Sequence, residues 1–168
     1  VSEPGLIHIG TSGWHYQHWK GPFYPEDLSD ERFLDYYMNS FETSEINNTF
    51  YKLSDKKTFV HWRDTVPEDF MFSVKASRYI THMKKLKDAE DALPNLLERI
   101  QVLGEKLGPV LFQLPPRWTF NPRRLESFLY RNADHILVNS PAYRDFLVAR
   151  GIPATGVSLI PNGVDPSM

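Results

Sequence analysis

Short apolar runs rich in β-branched residues recur along the chain. Between them lie longer stretches in which apolar positions return every three or four residues. This alternation is that of repeated strand–helix units around a parallel sheet. It predicts strands at Leu6–Thr11, Thr43–Asn48, Phe70–Ala76, Val110–Leu114, His135–Asn139 and Val157–Ile160. It places helices at Glu31–Asn39, Lys57–Thr65, Ala89–Lys106, Pro122–Asn132 and Ala142–Arg150. Local grammar supports two of the boundaries. Asn121 can cap the fourth helix, with Pro122 where a missing N–H costs nothing. Gly151 is a natural left-handed stop for the fifth, with Pro153 shortly after. The pattern reads as one continuous parallel (βα)5β chain of the α/β class, with no internal repeat, heptad array or low-complexity tract.

The totals narrow the function classes. At 168 residues the chain suits one domain, burying roughly two thirds of its unfolded surface. With 19 Lys plus Arg against 21 Asp plus Glu, the net charge of -2 provides no global field to gather nucleic acid or an anionic membrane, so neither is an expected partner. A small-molecule anion at a local patch stays admissible. There is no Cys, which excludes disulfides and thiolate chemistry and fits a reducing compartment. No long apolar window is present and the opening VSEPGLIHIG lacks the regions of a secretory signal, so a cytoplasmic location is expected. The chain starts on Val1 and stops at Met168, and either end reads as a fragment boundary.

Four motifs in order, IGTSGWHYQHWKGPFYP, FETSEINNTFYKLS, FMFSVKASRYITHMKKLK and LGPVLFQLPPRWTFNPRRLESFL, resemble the YecE-like family, domain of unknown function number 72. The resemblance implies the first half of an eight-stranded TIM-type barrel, and the later motifs of that family, a Ser-Trp pair on an acidic strand and an Arg-His-Gly stretch, are not found. From about Tyr130 the run ADHILVNSPAYRDFLVARGIPATGVSLIPNGVD resembles the end of the first Rossmann-like domain of two-domain retaining glycosyltransferases. Residues 1–129 therefore read as a truncated (βα)4 half barrel and residues 130–168 as a glycosyltransferase-like βαβ segment packed on the same sheet. The join is expected between Leu125 and Tyr130. A parallel sheet that stops at its fourth strand leaves N–H and C=O groups bare, and His135–Asn139 is expected to take that edge. The inner face of such a half barrel would expose apolar side chains to water, which calls for self-association through that face or for a flattened sheet with helices on both sides.

Candidate chemistry lies at the carboxyl ends of the strands, where βα architectures place their reacting groups. In the run SEINNT, Glu45, Asn47 and Thr49 alternate with Ser44, Ile46 and Asn48, and a carboxylate and amides inside a sheet are costly to bury without hydrogen bonds. Glu45 would move a proton, Lys75 would hold an anion or developing oxyanion, and Asn47 or Asn48 would orient the substrate. A polar network that seals the barrel, or a plain Glu45–Lys75 ion pair, explains the same residues. Gln113 is expected to point to the same mouth. The rings of Trp14, His15, Tyr16, His18, Trp19, Phe23 and Tyr24 either floor a stacking pocket or form an apolar lid. His15 and His18 lack a third ligand, so no metal and no cofactor is called for. His61 and His135 read as core or edge residues. Arg78, His82, Lys84, Lys85 and Lys87 could grip phosphates, although Asp88, Glu90 and Asp91 follow at once and suit a solvated loop.

These residues suggest a hybrid or truncated YecE-like protein without a complete catalytic apparatus. The alternatives are a YecE-like enzyme acting on a phosphorylated or nucleic-acid-related compound and a glycosyltransferase fragment, the latter lacking its donor domain.

Overall fold

Strands form where one side of an apolar run can be buried. Thr43–Ile46 (β1), Met71–Lys75 (β2) and Leu107–Leu111 (β3) make a parallel sheet in the order β1-β2-β3, in a computed structural model that describes residues 7–87, 92–119, 121–133, 136–138 and 140–159. The register sets Ser44 beside Phe72 and Ile46 beside Val74, and all four are buried. The pleat sends Thr43, Glu45, Met71, Ser73 and Lys75 to the other face, where each is half-buried.

Helix Phe33–Tyr37 (α1) precedes β1, Lys56–Thr65 (α2) lies between β1 and β2 and Ala92–Ile100 (α3) between β2 and β3, and they supply Phe33, Tyr37, Phe59, Leu96 and Ile100 to the core. Ring contacts run from Tyr37 through Phe70, Phe72, Trp14 and Trp62 to Phe59, with centroids 4.9 to 6.5 Å apart. Such edge-on and tilted pairs add to the burial itself. The start of α2 is fixed by Asp55, whose carboxylate accepts from the Thr58 N–H and Oγ1, both at 2.9 Å. At its end, Lys106 Nζ donates to the carbonyls of Arg63 and Val66, both at 2.6 Å.

The chain divides into two compact units, one ending at Trp118 and one beginning at Thr119. The second contains Pro122–Asn132 (α4), Ile136–Val138 (β4), Pro141–Ala149 (α5) and Val157–Leu159 (β5). Asn121 caps α4 as expected, accepting from the Arg124 N–H at 3.0 Å. Gly151, at φ 89°, stops α5. β4 and β5 pair in parallel, and Val138, Leu147 and Val157 form a buried cluster flanked by Tyr130, Ile136 and Ile152.

Several expectations are corrected. The described strands form two hydrogen-bonded sheets and not one (βα)5β ladder: Ile136–Val138 bonds to Val157–Leu159, its partner across a crossover helix of 9 residues. In the Leu6–Thr11 stretch the described pairing is a single bridge from Thr11 to Ser44. There Ile7 and Ile9 are 86% and 73% exposed, so the alternation has no buried side. The fourth predicted strand lies three residues earlier than Val110–Leu114 and includes Pro109, which an edge strand tolerates because it has a side with no ladder bond to lose. Helix Ala89–Lys106 is α3 followed by a 3-10 segment, Gln101–Lys106, broken at Gly104 (φ 58°, ψ -131°). Its first residues lie outside the described ones, as does His135. The open face of the first sheet is largely polar, with Thr43, Glu45, Ser73 and Lys75 beside Met71, Pro109 and Leu111, where an apolar face was expected.

Two predictions follow from these contacts. Leu147→Ala should cost about 2–5 kcal/mol, the range for emptying a closed aliphatic site, read as faster amide exchange at Ile136–Val138. The hydrogen bonds from Thr58 hold the Asp55 carboxyl below its ordinary range. Its stabilisation is therefore present above the ordinary aspartate pKa and lost as pH falls through the lowered one. Asp55→Asn, which keeps the cap, should flatten the acid limb of a urea-midpoint-against-pH curve.

Candidate functional site

β1 stops at Ile46 because the chain turns there. Asn47 has helical backbone angles (φ -87°, ψ -22°) and leads into a 3-10 turn over Asn48–Phe50. The residues Asn47 to Thr49 thus lie in a turn rather than alternating along a strand. The turn is fastened by Thr49, fully buried, whose Oγ1 lies 2.8 Å from the Ile46 carbonyl and 2.6 Å from the Lys75 carbonyl. One hydroxyl thereby serves two strand ends.

Fixing the turn fixes the site. Glu45 lies at the carboxyl end of β1, and the Ser12 hydroxyl donates to its Oε1. Asn47 Oδ1 is buried and has no hydrogen-bond partner among the described residues. Both residues line a cavity of about 220 Å³ whose other walls include Trp14, Tyr16, Asn48 and Tyr51. A second hollow of about 430 Å³ on the open sheet face is lined by Thr43, Glu45, Met71, Ser73 and Pro109, so Glu45 serves both.

The remaining candidates separate. Lys75 makes no ion pair with Glu45: its ammonium sits 5.2 Å from the Phe50 ring centroid. The Arg78 guanidinium lies 5.9 Å from the Tyr51 centroid. Gln113 follows β3, is exposed and lines neither hollow, because the strand ends at Leu111. His82 meets the edge of Phe50 at 5.0 Å and lies 3.0 Å from Thr81 Oγ1, while Lys84 sits over Tyr79. The basic residues after β2 that are placed by these contacts rest on rings rather than converging on one point. His61 is exposed, against the core or edge role expected of it.

The aromatic loop divides between the core and a cavity wall. Tyr24 is buried, stacks on Phe33 at 4.3 Å and donates its hydroxyl to the Trp14 carbonyl at 2.6 Å. Burial, with Tyr37 nearby, pushes that hydroxyl far above its ordinary pKa and keeps it a neutral donor. Gly13 to Tyr16 face the cavity instead. His15 and His18 meet the rings of Phe33 and Tyr16. Sequence reasoning overlooked Ser12 and Tyr51. The first was signalled only by its place in GTSG, the second only by following the NNT turn.

Residues 8–139 match the family described as "Protein of unknown function DUF72". The chain belongs to the DUF72 family. The match runs past the join expected between Leu125 and Tyr130, and it covers Glu45, Asn47 and every other candidate at the Glu45 cavity. Among curated relatives, the UPF0759 protein YecE of Escherichia coli K12 is 29% identical over 71% of this chain and 41% of its own length. The UPF0759 protein YunF of Bacillus subtilis is 27% identical over 66% and 40%. The DUF72 chain spans about two fifths of the length of these relatives. A DUF72 crystal structure from Thermotoga maritima superposes with a TM-score of 0.67 at 30% identity, covering 88% of this chain and 63% of that one. One from Enterococcus faecalis gives 0.61 at 18% identity, covering 86% and 55%. The α/β fold with a parallel sheet is thus the fold of solved DUF72 proteins, and neither the family's description nor the relatives' names assign a function.

The turn of this DUF72 chain gives a direct test. Thr49→Val keeps the volume and removes the one hydroxyl proton that the Ile46 and Lys75 carbonyls share, and should cost about 1–3 kcal/mol. Urea denaturation measures it. An unchanged midpoint would mean that Thr49 does not fix the turn.

Proposed function

We propose that this chain carries one corner of a small-molecule site, built around Glu45, without a complete catalytic apparatus. The observation that carries the reading is the buried, partnerless Asn47 Oδ1 on the wall of the cavity that also holds Glu45. A buried acceptor without a donor costs about 1–3 kcal/mol, and a ligand donor removes that cost. In this reading Glu45 holds or moves a proton, Asn47 orients the ligand, and Trp14 and Tyr51 flank it. The finer architecture is half of a TIM-type barrel, supported by the parallel order β1-β2-β3 and the site at the strand ends. With about two fifths of the relatives' length in this chain, the remaining groups of a working site fall to the rest of such a barrel.

We further infer that the unit beginning at Thr119 contains the glycosyltransferase-like segment. Its own two-stranded sheet and its own apolar cluster support this reading. The family match, which ends at Asn139, overlaps the first ten residues of that segment as the sequence bounded it.

A thermal-shift screen of phosphates, sugars and amines tests the Glu45 corner, since a ligand at a hundred times its Kd stabilises by about 2.7 kcal/mol. The expected result is a compound that raises the Tm of the native chain, raises that of Glu45→Gln and Asn47→Leu much less, and is not turned over. If every hit acts equally on all three proteins, the corner is not a ligand site.

A further inference from the structure

We propose that the cavity beside Glu45 selects an organic ammonium ion with an apolar body. This rests on the reading of that corner as a ligand site and adds the class of ligand. Two acceptors face the cavity from the end of β1. Asn47 Oδ1 has no partner, and of the two Glu45 oxygens only Oε1 is engaged, by a neutral hydroxyl that leaves the negative charge in place. The Tyr16 hydroxyl is already spent on the Ser12 carbonyl. Among the described residues no lysine or arginine lines the cavity. Lys52, which follows the turn, is exposed, and Lys75 and Arg78 rest on the rings of Phe50 and Tyr51.

An ammonium group is the complement of that set. It offers three donors and no acceptor, it neutralises the carboxylate through charge-assisted bonds, and it is drawn to ring faces such as those of Trp14 and Tyr16. A phosphate or carboxylate ligand would set its charge against that of Glu45 and leave Asn47 Oδ1 without a donor. A neutral alcohol would satisfy Asn47 and leave Glu45 uncompensated. The space of about 220 Å³ equals roughly seven waters at ~30 Å³ each, which accommodates one ring with a short tail.

Calorimetric titration with 2-phenylethylammonium, 2-phenylethanol and phenylacetate tests the class. The amine should bind roughly tenfold or more tightly than the alcohol, the gain of one charge-assisted contact, and phenylacetate should bind more weakly than either. Glu45→Gln should bring amine and alcohol to within about twofold, the charge being gone. Asn47→Asp should bind the amine more tightly than the native chain does, a gain that misfolding cannot imitate. Ser12→Ala, which frees Oε1, should keep the preference for the amine. Alcohol or phenylacetate binding as well as the amine, while still weakened by Glu45→Gln or Asn47→Leu, overturns the ammonium class and leaves the corner standing. Amine binding indifferent to both Glu45→Gln and Asn47→Asp overturns both readings. No binding of the amine at millimolar concentration overturns the ammonium class, and the thermal-shift screen then judges the corner by itself.

Discussion

One buried hydroxyl holds the candidate site in shape. Thr49 Oγ1 lies within hydrogen-bond distance of two carbonyls that belong to different strands, those of Ile46 and Lys75. No water reaches Thr49, so the orientation that serves these carbonyls is strongly preferred over one that leaves them bare. The turn from Asn47 to Tyr51 inherits that geometry. Asn47 faces inward, Phe50 lies under the Lys75 ammonium, and Tyr51 forms a cavity wall. A freely moving turn would have let Asn47 Oδ1 find a donor in the loop or in water. Held in place, it stays without one.

The pleat of the sheet supplies the second condition. Because Ser44, Ile46, Phe72 and Val74 share the buried face, Glu45, Ser73 and Lys75 are committed to the other. This is costly only where polar groups lose water without gaining partners. On the open face they are half-buried, and Glu45 touches two hollows at once. The apolar burden is carried by the helix side, where the ring contacts from Tyr37 to Phe59 run through Phe72. The division lets the same sheet be a well-packed wall on one face and a wet polar surface on the other.

How far this was legible in the sequence depended on whether the determining contact was local. The cap at Asn121, the stop at Gly151 and the start of β1 are set by residues within a few positions of one another, and each was readable. The placement of β3 was not, since GPVLFQL is apolar almost throughout and offers no alternation to fix a register, and Gln113 was misplaced with it. SEINNT reads as a continued strand because the hydroxyl that bends it acts on a carbonyl 26 residues away. Glu45, Asn47, Asn48 and Trp14 were singled out from residue type and strand position, and they do surround one cavity. Lys75 was singled out on the same grounds, yet a ring contact that no spacing rule reports draws it aside.

That diversion has a consequence for the charge of the site. A lysine at the end of a neighbouring strand would ordinarily pair with Glu45 and cancel its field. A ring face competes with a half-exposed carboxylate because a surface ion pair brings only about 0–1 kcal/mol, and a cation over a ring brings about as much. Lys75 lies over Phe50 and Arg78 over Tyr51, so two of the positive charges near the turn are held on aromatic faces. The contact made to Glu45 is then a hydroxyl, which donates a hydrogen bond without neutralising anything. In a cavity of low polarity an uncancelled carboxylate attracts a cation over a longer range than it would in water. The aromatic residues around this turn therefore do more than fill space: by engaging Lys75 and Arg78 they keep these two cations from pairing with Glu45.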